Sequence, residues 1–302
     1  MAISDNPCVF ASEPLDRASV ERIDPEWIKA RLADPDSIII PLYRGDPLMD
    51  EKGVVFLSTA ARQEFSSNAT CVFLGQVSGK AYFAIDASDA PTPEAAPFAD
   101  IGSYRMLREA APHLSDNALS IIGQGRWILD WHLENRHCAR CGSATEIFEG
   151  GTKRVCASCE AEHFPRSNPV AIVLAQHEEA CLLGRGPHFP PGFLSALAGY
   201  VEAAETPEEC AVRELREEAG VEIENVRYQF SQPWPFSSSL MMGFIADARS
   251  REINLDPTEI EDARWVSRHE INEIRNGAKN ENLILPPKFT IARQLIERWA
   301  AR

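Results

Sequence analysis

Three glutamates in the stretch PEECAVRELREEAG, Glu214, Glu217 and Glu218, have the spacing at which a helix gathers carboxylates. At about 100° per residue they fall within roughly a third of the circumference, while Val212, Leu215 and Ala219 group on another face. Like charges this close repel, so the arrangement favours a bound hard cation, and carboxylate oxygens are what Mg2+ or Mn2+ selects. The competing reading is a solvated acidic face, the commoner meaning of such a run. Arg213, four residues before Glu217, is placed to pair with it and hold its orientation.

A second group is built from sulfur. Cys138 and Cys141 in CARC, and Cys156 and Cys159 in CASC, are separated by fourteen residues. Two C-x-x-C knuckles at that distance match a zinc ribbon, and four thiolates leave no open coordination position, so the expected Zn2+ site is structural. Gly142 suits the sharp turn of the first knuckle, and His137 and His163 flank the pair as substitutes that four cysteines make unnecessary. Disulfides are the alternative. The start, MAISDNPC, lacks a basic then apolar signal pattern, and no apolar run approaches the roughly 20 residues of a membrane span, so a reducing, cytoplasmic location is expected.

The third stretch, SQPWPFSSS at 231–239, concentrates rigid aromatic surface. Its prolines restrict the chain, so Trp234 and Phe236 lose less entropy on stacking against a planar heteroaromatic ligand, and Gln232 and Ser239 offer hydrogen bonds. A proline-stiffened loop that plugs a core is the competing reading.

These groups need a frame, and 302 residues suffice for two or three compact units. SIIIPLY, GVVFLS, CVFLGQV and AYFAID are short β-rich runs, and residues 86–100 form a Pro/Ala/Asp loop. A helix start at Ser115 or Asp116 leads into Leu119, Ile122, Trp127 and Trp131, weakened by Gly123 and Gly125. Nothing in residues 1–114 suggests chemistry, which leaves a scaffold or dimer contact. Beyond the cysteines, PVAIVLAQ, ACLLGRG, FLSALAGYVE, VRYQFSQPW and LMMGFIADA read as strands. Thr206, Pro207 and Glu209 open the acidic helix with a capping box, and Gly220 closes it. The expected division is an N-terminal α+β scaffold module over 1–125, a helix and zinc ribbon over 126–167, and a mixed α/β domain over 168–302. A formal net charge of −15 repels polyphosphates at long range, so an anionic ligand requires local cations or a metal ion.

Gly199, Glu205, Arg213, Glu214, Leu215, Glu217, Glu218, Gly220 and Val221 fit G-x5-E-x7-R-E-U-x-E-E-x-G-U, with U aliphatic, at every position. A chance match in a chain this long is on the order of one in ten million. The pattern resembles the Nudix hydrolase box. That resemblance implies a C-terminal α/β/α sandwich that hydrolyses a nucleoside diphosphate linked to another group. It also implies Glu214 and Glu218 as ligands of Mg2+ or Mn2+, Glu217 as a further ligand or an aid to water activation, and Gly199 as a backbone contributor. From DPTEIEDARWV it selects Glu259 as an additional ligand, with Glu261 and Asp262 close enough to compete.

SQPWPF followed by S-x-S resembles the S-Q-P-W-P-F-P-x-S array of the NADH pyrophosphatase subfamily, with Ser237 where proline is expected. The ribbon and the N-terminal module resemble that subfamily too. The resemblance adds Phe164, Tyr200, Met241 and Ala292 to Gln232, Trp234, Phe236 and Ser239 as pocket positions. It implies a homodimer that hydrolyses the pyrophosphate of NADH or NAD+ to AMP and nicotinamide mononucleotide, with either Glu217 or Glu218 as general base. Removal of an NAD cap from RNA, or a broader dinucleotide pyrophosphatase activity, is the alternative on the same fold. An inactive binding module is the alternative of another class, against which stand the intact box and a ribbon whose few basic residues are mixed with acids.

Overall fold

A computed structural model describes residues 6–12 and 14–301. Residues 1–5, part of the stretch read for a secretory signal, lie outside the described residues. The chain divides into two compact units, one running Ser12–Arg166 and the other joining the residues up to Ala11 with those from Ser167 onward. Among the described residues no helix is long and apolar enough to cross a membrane.

The Ser12–Arg166 unit is built on a seven-stranded sheet. Its main path runs Gly53–Val54, Asp46–Asp50, Ile38–Tyr43, Lys80–Asp86 and Cys71–Val77, with Leu57–Ser58 and Ser103–Tyr104 added at the sides. GVVFLS, expected as one strand, is two short pieces that pair with different partners. Asp46–Asp50 is a strand the sequence does not announce, because a proline and flanking aspartates disguise three buried positions.

Helix Asp116–Glu134, capped by Ser115, runs unbroken through Gly123 and Gly125, so the boundary expected between 125 and 126 falls inside it. Packing explains the glycine: a Cβ on Gly125 would come within 2.9 Å of the Ala84 Cβ on the sheet. The ribbon follows as a three-stranded antiparallel sheet, Thr145–Phe148, Lys153–Cys156 and Glu162–His163.

The other unit is an α/β/α sandwich around a mixed sheet, ordered Ile223–Trp234, Ser239–Ala248, Asn168–His177, Ala180–Arg185 and Asp262–Ser267. Asn168–His177 runs parallel to Ser239–Ala248 and antiparallel to Ala180–Arg185 and Leu197–Tyr200. The two-residue period of the central strand separates two cores. Ala171, Val173 and Ala175 meet Cys210, Ala211 and Leu215 of helix Pro207–Ala219, whereas Ile172 and Leu174 meet Leu295, Ile296 and Trp299 of helix Ile291–Ala300. The buried stripe of the acidic helix is therefore Cys210, Ala211, Leu215 and Ala219; Val212, expected on it, is only partly buried.

That helix opens with the expected capping box, Thr206 against Glu209, and stops at Gly220 in the left-handed conformation, φ 66°. A Cβ there would approach the Asn254 Cβ to 2.8 Å. Gly220→Ala is expected to lower unfolding free energy by about 1–2 kcal/mol in denaturant titrations.

Candidate functional site

The acidic helix turns two of its three carboxylates inward. Glu214 and Glu218 are each 8% exposed, while the Glu217 side chain stays half in solvent. Arg213 is the hub that makes this tolerable. Its Nε and Nη2 donate to the two oxygens of Glu205 at 2.7 and 2.9 Å, and its Nη1 donates to Glu214 at 2.8 Å and Glu217 at 3.0 Å. Nη2 also donates to the Tyr200 carbonyl at 3.0 Å, tying the helix to strand Leu197–Tyr200. The pair of hydrogen bonds from Arg213 brings the Glu205 carboxyl down to about 2. The expected Arg213–Glu217 contact is thus one strand of a larger network.

Gly199 lies directly beneath Glu214, and a Cβ there would collide with the carboxylate. Its place in the pattern has a packing reason beside any ligand role.

Glu218 has no such compensation. Its Oε2 is buried without a hydrogen-bond partner. Burial, reinforced by the charges of Glu214, Glu259 and Glu217, pushes its carboxyl up to about 8. Glu214 is also raised, by burial first, against the pull of Arg213. An orphaned buried oxygen under the charge of three other carboxylates suits a hard divalent cation, so the residues fit the expected Mg2+ or Mn2+. The loop that carries Glu259 is anchored to the helix by Asp256 N donating to Glu218 O at 3.1 Å and Asn254 N to Ala219 O at 2.8 Å. Of its acidic neighbours, Glu261 is engaged by Arg185 at 2.7 Å.

Among the described residues, the four cysteine sulfurs are the group of His, Cys, Asp or Glu ligand atoms that lies within 4.8 Å of one another. In the ribbon, backbone N–H groups of Arg140, Ser158 and Cys159 donate to Cys138 or Cys156 sulfur at 3.4 Å. His163 Nε2 lies 3.3 Å from the Cys138 sulfur, beside the cluster and not in it. Hydrogen bonding, from the Ser143 backbone first, draws the Cys141 thiol down to about 6, toward the thiolate a metal needs.

The aromatic array sits at the end of strand Ile223–Trp234 and the turn after it. Trp234 and Phe236 meet edge to face at 4.8 Å, and Phe289 stacks on Trp234 at 6.1 Å and 10°. The polar groups expected to serve a ligand are already engaged. Gln232 is fully buried, donating to the Val9 and Phe289 carbonyls and accepting from Ile291 N. Ser239 is 1% exposed, with its Oγ 2.8 Å from Ser237 Oγ. Met241 pairs with Gln232 across the sheet and packs on the core that contains Ala292. Tyr200 is 57% exposed, and Phe164, 60% exposed, belongs to the Ser12–Arg166 unit. Phe289 and Phe10 escape the sequence reading, since neither lies near the array in the chain.

Sequence comparison accounts for most of the chain between residues 36 and 286. Three family profiles match: a NUDIX domain over residues 165–286, an NADH pyrophosphatase zinc ribbon domain over 133–164, and an NADH pyrophosphatase-like rudimentary NUDIX domain over 36–131. The chain is 36% identical over 258 residues to the NAD-capped RNA hydrolase NudC of Stutzerimonas stutzeri, covering 84% of this chain and 86% of that one. It is 42% identical over 196 residues to the NAD-capped RNA hydrolase NUDT12 of Homo sapiens, covering 62% of this chain and spanning 42% of that relative's length. A mouse mitochondrial NAD(P)H pyrophosphatase, NUDT13, is 36% identical over 239 residues, 73% of this chain and 68% of its own.

The raised carboxyl of Glu218 has a measurable consequence. A folded-state value above the ordinary 4.5 contributes stability that is complete below 4.5 and is lost as pH rises toward about 8. In chelator-treated protein, the thermal midpoint is expected to fall between pH 5 and 8, and Glu218→Gln to flatten that slope; parallel profiles for the two proteins would contradict it.

Proposed function

Because the chain belongs to the Nudix hydrolases, in the branch marked by the NADH pyrophosphatase zinc ribbon and rudimentary N-terminal domain, we propose that it hydrolyses the pyrophosphate of NADH or NAD+ to AMP and nicotinamide mononucleotide. The observation that carries this reading is the buried, unpartnered oxygen of Glu218 among Glu214, Glu217 and Glu259. Glu214, Glu218 and Glu259, with the backbone of Gly199, are the groups to hold Mg2+ or Mn2+. When bound, the cation supplies neutralisation of the diphosphate and a lowered pKa for water. Arg213 keeps Glu214 and Glu217 aimed at one place, and Glu217 or Glu218 takes the proton of the attacking water. Trp234 and Phe236 stack against a ring of the dinucleotide, with Tyr200 exposed at the end of its strand.

The net charge of −15 favours a small dinucleotide over a polyanion, so the free cofactor is placed ahead of NAD-capped RNA. The four cysteines hold a structural Zn2+, and the cytoplasm is the compartment that keeps such thiols reduced. The working assembly is a homodimer, as the resemblance implies.

The direct test incubates the protein with Mg2+ or Mn2+ and NADH, NAD+, ADP-ribose or NAD-capped RNA in parallel. Release of AMP from NADH or NAD+ is expected, with kcat lowered roughly 100-fold or more by Glu214→Gln or Glu218→Gln. Turnover of ADP-ribose alone overturns the substrate assignment. Mercurial titration is expected to release one zinc per chain and to lower the thermal midpoint, as loss of a structural site must.

A further inference from the structure

Residues 6–11 are packed into the hydrolase unit and not into the module that follows them in sequence. Asn6 Nδ2 donates to the Ser231 carbonyl at 2.8 Å, and its Oδ1 accepts from Cys8 N at 3.0 Å, which rounds the chain into a local turn. The Cys8 side chain is buried in the core with Phe230 and Trp299. Gln232 reaches the Val9 carbonyl at 3.2 Å with the amide that also holds Phe289 and Ile291. Phe10, 5% exposed, meets Phe236 edge to face at 6.0 Å and 87°.

Phe10 adopts φ 65°, a left-handed conformation that costs a side chain of this size and that glycine would take freely. The backbone cost is offset by a ring buried at one spot. From Phe10 the contacts run to Phe236, from Phe236 to Trp234, and from Trp234 to Phe289.

We propose that residues 6–10 are a strap of the hydrolase unit, and that Phe10 is a positioning residue that sets Phe236 and, through it, the stacking wall for the dinucleotide ring. The proposal rests on the reading of Trp234 and Phe236 as ring-binding groups. It requires residues 6–10 for substrate affinity.

A double-mutant cycle on the full-length, metal-loaded protein tests this. Phe10→Leu keeps apolar volume and removes the aromatic edge. It is expected to raise KM for NADH about 2- to 10-fold with kcat retained, the range an edge-to-face pair supports. Phe236→Leu is expected to raise KM at least as much, and the double variant to add nothing further, because Phe10 acts through Phe236. Additive effects, or a fall in kcat at constant KM, overturn the proposal; unfolding midpoints of all four proteins show that each is folded at the assay temperature. If wild type hydrolyses no dinucleotide, the proposed function fails separately. Amide exchange over residues 231–239 then decides the strap alone: faster exchange in Phe10→Leu upholds it, and unchanged exchange overturns it.

Discussion

Carboxylates repel, and a helix that turns two of them toward a sheet must hold that charge with something. In this protein the restraint is a single guanidinium. Arg213 bridges Glu205, Glu214 and Glu217 and reaches the Tyr200 carbonyl, so one planar fork aligns acids from the loop and the helix with a strand backbone. Glu218 is left outside this network, and its buried oxygen is the polar group that the fold leaves without a partner. The rest of the unit is arranged around that imbalance. Capping by Thr206 and Gly220 sets where the helix begins and ends, and the missing Cβ of Gly199 lets Glu214 lie flat on the neighbouring strand.

The aromatic array shows a different economy. Its polar members tie backbone together: Gln232 spends its amide on Val9, Phe289 and Ile291, which fixes the start of helix Ile291–Ala300 and the N-terminal strap. A buried amide with its partners in place is rigid, and leaving any of those groups unpaired would carry a desolvation penalty. The aromatic rings beside it are thereby presented on a stiff base. The hydrogen bonds of Gln232 thus preorganise the array.

The Ser12–Arg166 unit contains a buried charge handled by similar means. Arg154, 8% exposed, donates to Thr145 Oγ1 and O and lies 3.1 Å from His132 Nδ1. Burial holds His132 down at about 4, so its neutral ring can accept from the arginine while Nε2 donates to the Gly151 carbonyl. This polar knot joins helix Asp116–Glu134 to the ribbon strand that ends in Cys156.

Local rules settled much of this protein from its sequence alone. The cysteine spacing, the capping box and left-handed stop of the acidic helix, and the strands that flank it follow from short-range geometry, and the box pattern is long enough to identify a family. Local rules pulled the other way at Gly125, where glycine weakens a helix whose close packing on Ala84 leaves no room for a Cβ, and misled at Asp46–Asp50, where burial outweighed a proline. Only the tertiary structure decided which carboxylate is left without a partner, that Gln232 is consumed internally, and that Phe10 and Phe289 border the array. Those outcomes depend on residues brought together from opposite ends of the chain, as Val9 and Phe289 are at Gln232, and a sequence read locally carries no distance between them.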